Sequence, residues 1–268
     1  MRPWSPQVIT NKEDRYGRRA TRSILGTLTM AIEAVIFDLY GTLVDIWTDE
    51  TDLEPYQTLC HFLKYYAIFF EPEELAGLYQ EAAAAQLQDR PSPFGEIDIF
   101  LVFEEILSEG LGKSPERALV IWLARLFRSL TTRRLQLFPD TMEALDELAP
   151  IYRLGLVSDA QWVFSEPEIR FLGLEKYLDA VVLSSRYFVS KPSPQIYSLA
   201  LKAMQVGPAQ ALYVGNDLSR DVPGPQSIGM PVILIHREGP RPQAEVPVIN
   251  NLKEIQKVIQ SQFSDLVA

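Results

Sequence analysis

Apolar residues gather in five short runs, at 34–38, 152–157, 180–183, 211–214 and 232–235. The first passes from Ala34 to Phe37 with one face as apolar as the other, and closes on an acid, Asp38. Runs of this length without polar alternation predict strands covered on both faces, as in a parallel sheet. Segments of helical period stand between them: 141–149 before the second run, 194–204 after the third, and 252–263 near the end of the chain. Alternation of this kind predicts an α/β fold with right-handed crossovers that cover both faces of the sheet.

Residues 49–135 break the rhythm. The stretch 73–88 is rich in Ala and Glu, with Pro72 placed to start a helix and Pro91 to stop it. Helical periodicity continues through 97–108 and 115–130, where Ser114-Pro115-Glu116 supplies an N-terminal cap. No strand is expected here. The stretch reads as a helical domain inserted into a core made of 30–48 and 136–268, with Tyr65, Tyr66, Phe69 and Phe70 in the insertion's own core. Residues 1–29 carry a charge of +4 against -14 for the remainder. Their Arg-rich character faintly suggests a transit peptide, but they read better as a disordered tail or a start placed upstream of Met30.

Composition narrows the chemistry. The 268 residues are 47% apolar and carry a net charge of -10, which disfavours binding to nucleic acid or an anionic membrane surface. A single cysteine, Cys60, excludes a disulfide framework and a multi-Cys zinc site. His61 and His236 are the only histidines, so a three-His metal site is excluded as well. No apolar run approaches the ~20 residues of a membrane helix. A cytoplasmic protein is expected, whose chemistry runs on carboxylates, hydroxyls and lysine.

Parallel sheets bind ligands beyond the carboxyl ends of their strands. Those ends carry Asp38-Leu39-Tyr40-Gly41-Thr42-Leu43, then Ser158-Asp159, then Lys191-Pro192, then Gly215-Asn216-Asp217 with Asp221. Taken together and in this order, these residues resemble the four motifs of the haloacid dehalogenase superfamily, over about residues 31–237. The resemblance implies a Rossmann-like sheet, with 49–135 as a helical cap over the site. The 33 positions between Ser158 and Lys191 leave no room for a second cap.

The resemblance also implies roles. Asp38 is the nucleophile of a covalent aspartyl intermediate, with Thr42 and Ser158 as hydroxyl donors and Lys191 neutralising charge. Gly41, Asp159 and Tyr197 fall at substrate-facing positions. Asp38, the Tyr40 main-chain carbonyl, Asn216, Asp217 and Asp221 form a donor set for Mg²⁺. Asp221 has a second reading, as the acid that only orients Lys191. The expected partner is a small anionic substrate.

Two departures bear on that substrate. Phosphatases of the superfamily carry a second Asp two residues after the nucleophile, where this chain has Tyr40, as its dehalogenases do. A phenol with pKa ~10 is a poor acid–base group near neutrality. Asp45, Asp49 and Asp159 are the candidates to replace it. Asn216-Asp217 argues the other way, because an added carboxylate beside Asp38 calls for a cation. A cap arginine for a haloacid carboxylate is sought among Arg90, Arg117 and Arg125. The primary expectation is a Mg²⁺-dependent phosphatase. A metal-independent 2-haloacid dehalogenase is the alternative, and a degenerate binding protein the third.

Overall fold

The computed structural model describes residues 31–88 and 94–262. The tail reading for 1–29, the helix stop at Pro91 and the candidate Arg90 lie outside the described residues.

The chain opens with β1 (Ala34–Phe37) and β2 (Val44–Thr48), then four helices, α1 (Leu53–Lys64), α2 (Pro72–Gln88), α3 (Ile99–Leu111) and α4 (Arg117–Thr131). It returns through β3 (Thr132–Leu137), α5 (Thr141–Leu148), β4 (Arg153–Ser158), α6 (Trp162–Phe171), β5 (Ala180–Leu183) and the short α7 (Ser184–Tyr187). There follow α8 (Pro194–Met204), β6 (Ala211–Gly215), α9 (Pro223–Ser227), β7 (Val232–Ile235), β8 (Val248–Ile249) and α10 (Ile255–Gln262).

Six strands form one sheet in the order β5-β4-β1-β6-β7-β8, and every pair in it is parallel. Burial follows the two-residue period of a strand. Val35 and Phe37 pack into the core on one face of the sheet, while Ala34 and Ile36 pack into that on the other. That is why β1 is apolar throughout. From β1 the chain builds β4 and β5 to one side, then crosses to β6 on the other. The order therefore reverses between β1 and β6, where a crevice opens at the strand tips.

The helical insertion differs from the sequence reading in several respects. Residues 132–137 form β3, which pairs antiparallel with β2, from Val44 opposite Leu137 to Thr48 opposite Thr132. A strand was not expected there, because β3 carries the exposed Arg133 and Arg134 near its start and only Leu135 and Leu137, toward its end, turn to the core. α1 was also not foreseen, although Asp52 caps it by accepting from Glu54 N at 3.0 Å. α4 starts at Arg117 rather than Pro115, and Glu116 stands at its N-cap without a side-chain bond. The first turn foreseen from residue 252 is a 3-10 turn, Leu252–Glu254, before α10.

Tyr56, Tyr79, Phe103 and Phe127 interlock at the centre of the four helices, with ring centroids 4.9–6.3 Å apart. Of the aromatics expected there, Phe70 is buried and Tyr66 packs against the core, whereas Tyr65 and Phe69 are 94% and 71% exposed. Their place between α1 and α2 turns every second ring outward. No helix among the described residues is long and apolar enough to cross a membrane.

Candidate active site

The sheet brings the strand-tip residues together. Asp38 follows β1, Ser158 ends β4, and Asn216 follows β6, next to β1 on its other side. Lys191 reaches in from the segment before α8, donating to Asp38 Oδ1 at 2.9 Å and to Asp221 Oδ1 at 2.7 Å. Both ends of this bridge are buried.

Burial raises the Asp38 carboxyl from its ordinary 3.8 to about 6, against the opposing pull of Lys191 and a hydrogen bond from Ser158. Burial alone would lower the Lys191 ammonium. The combined attraction of Asp38, Asp221 and Asp159 outweighs it and raises the group instead. Lys191 thus stays charged while Asp38 is poised close to neutrality.

Asp221 was expected among the metal donors, and the structure spends it elsewhere. Its Oδ1 accepts from Lys191 and lies 3.1 Å from the Tyr213 hydroxyl. Its Oδ2 accepts from Asn216 N at 2.9 Å and Asp217 N at 2.8 Å. A fully buried carboxylate with both oxygens engaged has no lone pair to lend to an ion. Gly215 makes this fit possible, since a Cβ there would lie 2.4 Å from Asp221 Cγ. Asp221 therefore orients Lys191 and the loop after β6.

Asp217 turns its Oδ1 into its own loop, accepting from Ser219 N, Ser219 Oγ and Arg220 N. These bonds hold its carboxyl below the ordinary value in spite of partial burial. Among the described residues, no three acidic, His or Cys side chains gather as a metal cluster.

Tyr197, expected to face substrate, is completely buried. Its hydroxyl donates to the Arg220 carbonyl at 3.0 Å, and its ring stands edge-on to Tyr213 with centroids 5.0 Å apart. Position relative to Lys191 placed it in the motif, but α8 turns that face toward the sheet. It supports the loop after β6 from beneath.

The side chain of Tyr40 points away from Asp38, toward α6. Its hydroxyl donates to Glu168 Oε2 in a short bond and lies 2.8 Å from Ser165 Oγ. Burial first, and the Glu168 charge second, raise the phenol well above its ordinary value. A phenol so held neither gives nor takes a proton readily near neutrality.

Arg128 of α4 completes this cluster, donating Nε to Glu168 Oε1 at 2.7 Å with its guanidinium 5.8 Å from the Tyr40 ring centre. Sequence reasoning missed it. Arg128 lies eleven residues beyond Arg117, three helical turns along nearly the same face, but its partner is forty positions away and carries no motif. The candidates named from sequence do other work. Arg117 stacks on Phe100 and Trp162, and Arg125 donates to the Val163 carbonyl.

A cavity of about 430 Å³ opens beside the strand tips, lined by Tyr40 and Asp159 from the motifs. Ile46, Ile97 and Phe164 give it an apolar wall, and Arg128 and Arg220 bring cations to it. Asp159 is held in place, accepting from Lys191 N at 2.8 Å and pairing with Arg220 Nη1 at 3.3 Å. Its carboxyl is raised by burial, with Lys191 opposing.

The sequence model of the haloacid dehalogenase-like hydrolases matches residues 32–229. The chain belongs to that family. It is an enzyme of the hydrolase class, with the parallel α/β fold of haloacid dehalogenase-like proteins.

Relatives within the family divide in chemistry. A glyceraldehyde 3-phosphate phosphatase of Methanothermobacter thermautotrophicus is 26% identical over 223 residues, covering 72% of this chain and 99% of that one. An (S)-2-haloacid dehalogenase of Xanthobacter autotrophicus is also 26% identical, over 209 residues covering 77% and 76%. Among solved structures, a 2-haloacid dehalogenase of Pseudomonas syringae pv. Tomato superposes with a TM-score of 0.60 at 24% identity, covering 85% of this chain and 98% of the other.

A haloacid dehalogenase-like phosphatase implies Mg²⁺, and the donors present here accommodate it. Asp38 Oδ2 and the Tyr40 carbonyl both face the carboxamide of Asn216, at 3.2 and 3.1 Å from one of its two heteroatoms. With the amide oxygen inward, three oxygens converge on one place, and the Thr42 hydroxyl donates to the amide one at 3.0 Å. Few carboxylates, carbonyl oxygens and room for water suit a small hard cation. Gly41 makes this approach possible, with φ of +81° and a would-be Cβ only 2.5 Å from the Asn216 amide.

Proposed function

We infer that this hydrolase is a phosphatase acting on a small phosphorylated metabolite through Asp38, with Mg²⁺ held by Asp38, the Tyr40 carbonyl and Asn216. One observation carries the reading: the outer oxygen of a buried, lysine-bridged carboxylate shares its facing direction with a main-chain carbonyl and an amide. The phosphatase relatives point the same way. The helical insertion serves as the cap, closing the 430 Å³ cavity over the substrate.

In the first step a carboxylate oxygen of Asp38 attacks phosphorus, and the bond to the leaving oxygen breaks with its electron pair. An aspartyl phosphate results. In the second step water attacks phosphorus, the P–O bond to Asp38 breaks with its electron pair returning to the carboxylate, the water's proton passes to solvent, and inorganic phosphate departs. Lys191 balances the carboxylate in both steps, while the Ser158 hydroxyl, and that of Thr42 beside Asn216, offer donors to the transferred oxygens. Held by Asp38, the Tyr40 carbonyl and Asn216, the cation would supply positive charge that offsets the repulsion between a carboxylate and an anionic phosphoryl group.

The leaving oxygen finds no free acid at the position of Tyr40, whose hydroxyl is committed to Glu168 and Ser165. Asp159, proposed as a substitute, is engaged by Lys191 and Arg220. Leaving groups that depart as anions are therefore preferred. The kcat/KM for an aryl or acyl phosphate should exceed that for an alkyl phosphate by about 10²-fold or more. Equal values would overturn the assignment of Tyr40 as catalytically silent.

A second reading, 2-haloacid dehalogenase, has Tyr40 in its favour, since halide departs without a proton. Chelation distinguishes the two. Phosphatase activity should disappear with EDTA and return with added Mg²⁺, whereas haloacid turnover that survives EDTA would establish the second reading.

A further inference from the structure

We propose that the carboxamide of Asn216 stands in for the cation when none is bound, and must turn over to admit one. The proposal rests on the Mg²⁺ reading above for the identity of the cation, and on geometry for the rest.

The side chain projects from the loop after β6 into the space between two strand tips. One heteroatom of its amide lies 3.2 Å from Asp38 Oδ2, 3.1 Å from the Tyr40 carbonyl and 3.0 Å from Thr42 Oγ1. Two of these neighbours are acceptors only, so with no cation present the heteroatom is nitrogen. Its two hydrogens then serve Asp38 and Tyr40 together. A neutral NH₂ group does at this point what an ion does in a loaded site, holding two oxygens that otherwise repel each other.

The same group offers an oxygen when its terminal torsion turns by half a revolution. That orientation leaves three oxygens facing one another with the Thr42 hydroxyl, 3.0 Å away, donating to the amide oxygen, and a cation supplies the charge that balances them. Asn216 is exposed to solvent, and the residue its amide packs against is Gly41, where a Cβ would lie 2.5 Å away, so the turn depends on the missing side chain there. A carboxylate at this position would have no donor face. It would bind Mg²⁺ more tightly and leave the ion-free protein with an added charge beside Asp38.

The chain therefore exchanges cation affinity for order in the ion-free state. Binding must first break the amide's own bonds, and apparent affinity falls by the fraction of molecules already turned.

Titration of the chelated protein with MgCl₂ by calorimetry, paired with thermal unfolding, tests this. In Asn216→Asp the Mg²⁺ dissociation constant should fall at least about 10-fold. Its ion-free Tm should drop below that of the unsubstituted chain, and its gain in Tm on adding MgCl₂ should be larger. Asn216→Ala should also lose ion-free Tm, without any gain in Mg²⁺ affinity. Equal dissociation constants in the unsubstituted and Asp forms, or an unchanged ion-free Tm in both variants, would overturn the proposal. Neither readout requires turnover. A chain that fails every phosphate ester but shows these shifts would refute the phosphatase reading and leave the role of Asn216 standing.

Discussion

Replacing Asp38 with Asn is expected to abolish turnover, by about 10⁴-fold or more, while raising the melting temperature at pH 8. The first effect follows from losing the proposed nucleophile. The second follows from linkage. The folded protein raises the carboxyl from 3.8 to about 6 through burial, with Lys191 only partly offsetting it. A carboxyl raised in this way favours the folded state below about pH 4, where it is protonated in both states. That contribution is lost as pH rises through about 6, because the folded state must then hold an ionised group it solvates poorly.

A gap of roughly two pH units corresponds to about 3 kcal/mol as an upper figure, since the substitution also removes one of the two carboxylates on Lys191. The expected rise in Tm is several degrees at pH 8, shrinking to nothing near pH 4. Parallel melts of both proteins across that range check it. A Tm that falls at pH 8 would mean that the ion pair outweighs the burial cost.

Lys191→Met carries the second large effect, in the opposite direction. Removing the ammonium leaves Asp38 and Asp221 facing each other in a buried site with no cation between them. Breaking a buried pair from one side costs about 3–5 kcal/mol, or about 6–20 °C in Tm for a chain of this size. The deficit should be smaller at pH 5 than at pH 8, because Asp38, already raised by burial and now deprived of its cation, takes up a proton instead. A pH-independent loss would assign the effect to packing of the lysine stem alone. Turnover should fall too, but stability is the sharper readout.

Much of this molecule is legible in its sequence, and the limits have physical causes. Five of the six strands of the sheet were readable to within a residue or so because a strand covered on both faces is apolar throughout, whereas β8, two residues long, was too short to show. The β2–β3 ribbon was not, since a half-exposed strand carrying Arg133 and Arg134 has no such signature.

Motif order likewise gathered Asp38, Ser158, Lys191 and the loop after β6 at one crevice. It did not tell which of these acids faces outward. Asp221 is consumed by four internal partners and Tyr197 lies beneath the loop, facts set by the packing of α8 against the sheet. The Tyr40–Glu168–Arg128 cluster was hidden for a different reason. It joins residues up to 128 positions apart, and no periodicity within one element announces a partner in another.

Thr48 and Thr132 stand opposite each other at the far end of the ladder that joins the helical insertion to the sheet. Eighty-odd residues thus depart and come back through a single doorway, two backbones wide. A segment of another length whose ends fit that opening, down to a tight hairpin turn, would keep the sheet but give up the contacts of Arg125 and Arg128 with α6 and Tyr40. On the phosphatase reading proposed above, the nucleophile's sheet and its cover are then separable inheritances, and selectivity among phosphorylated substrates would be rewritten in the insertion.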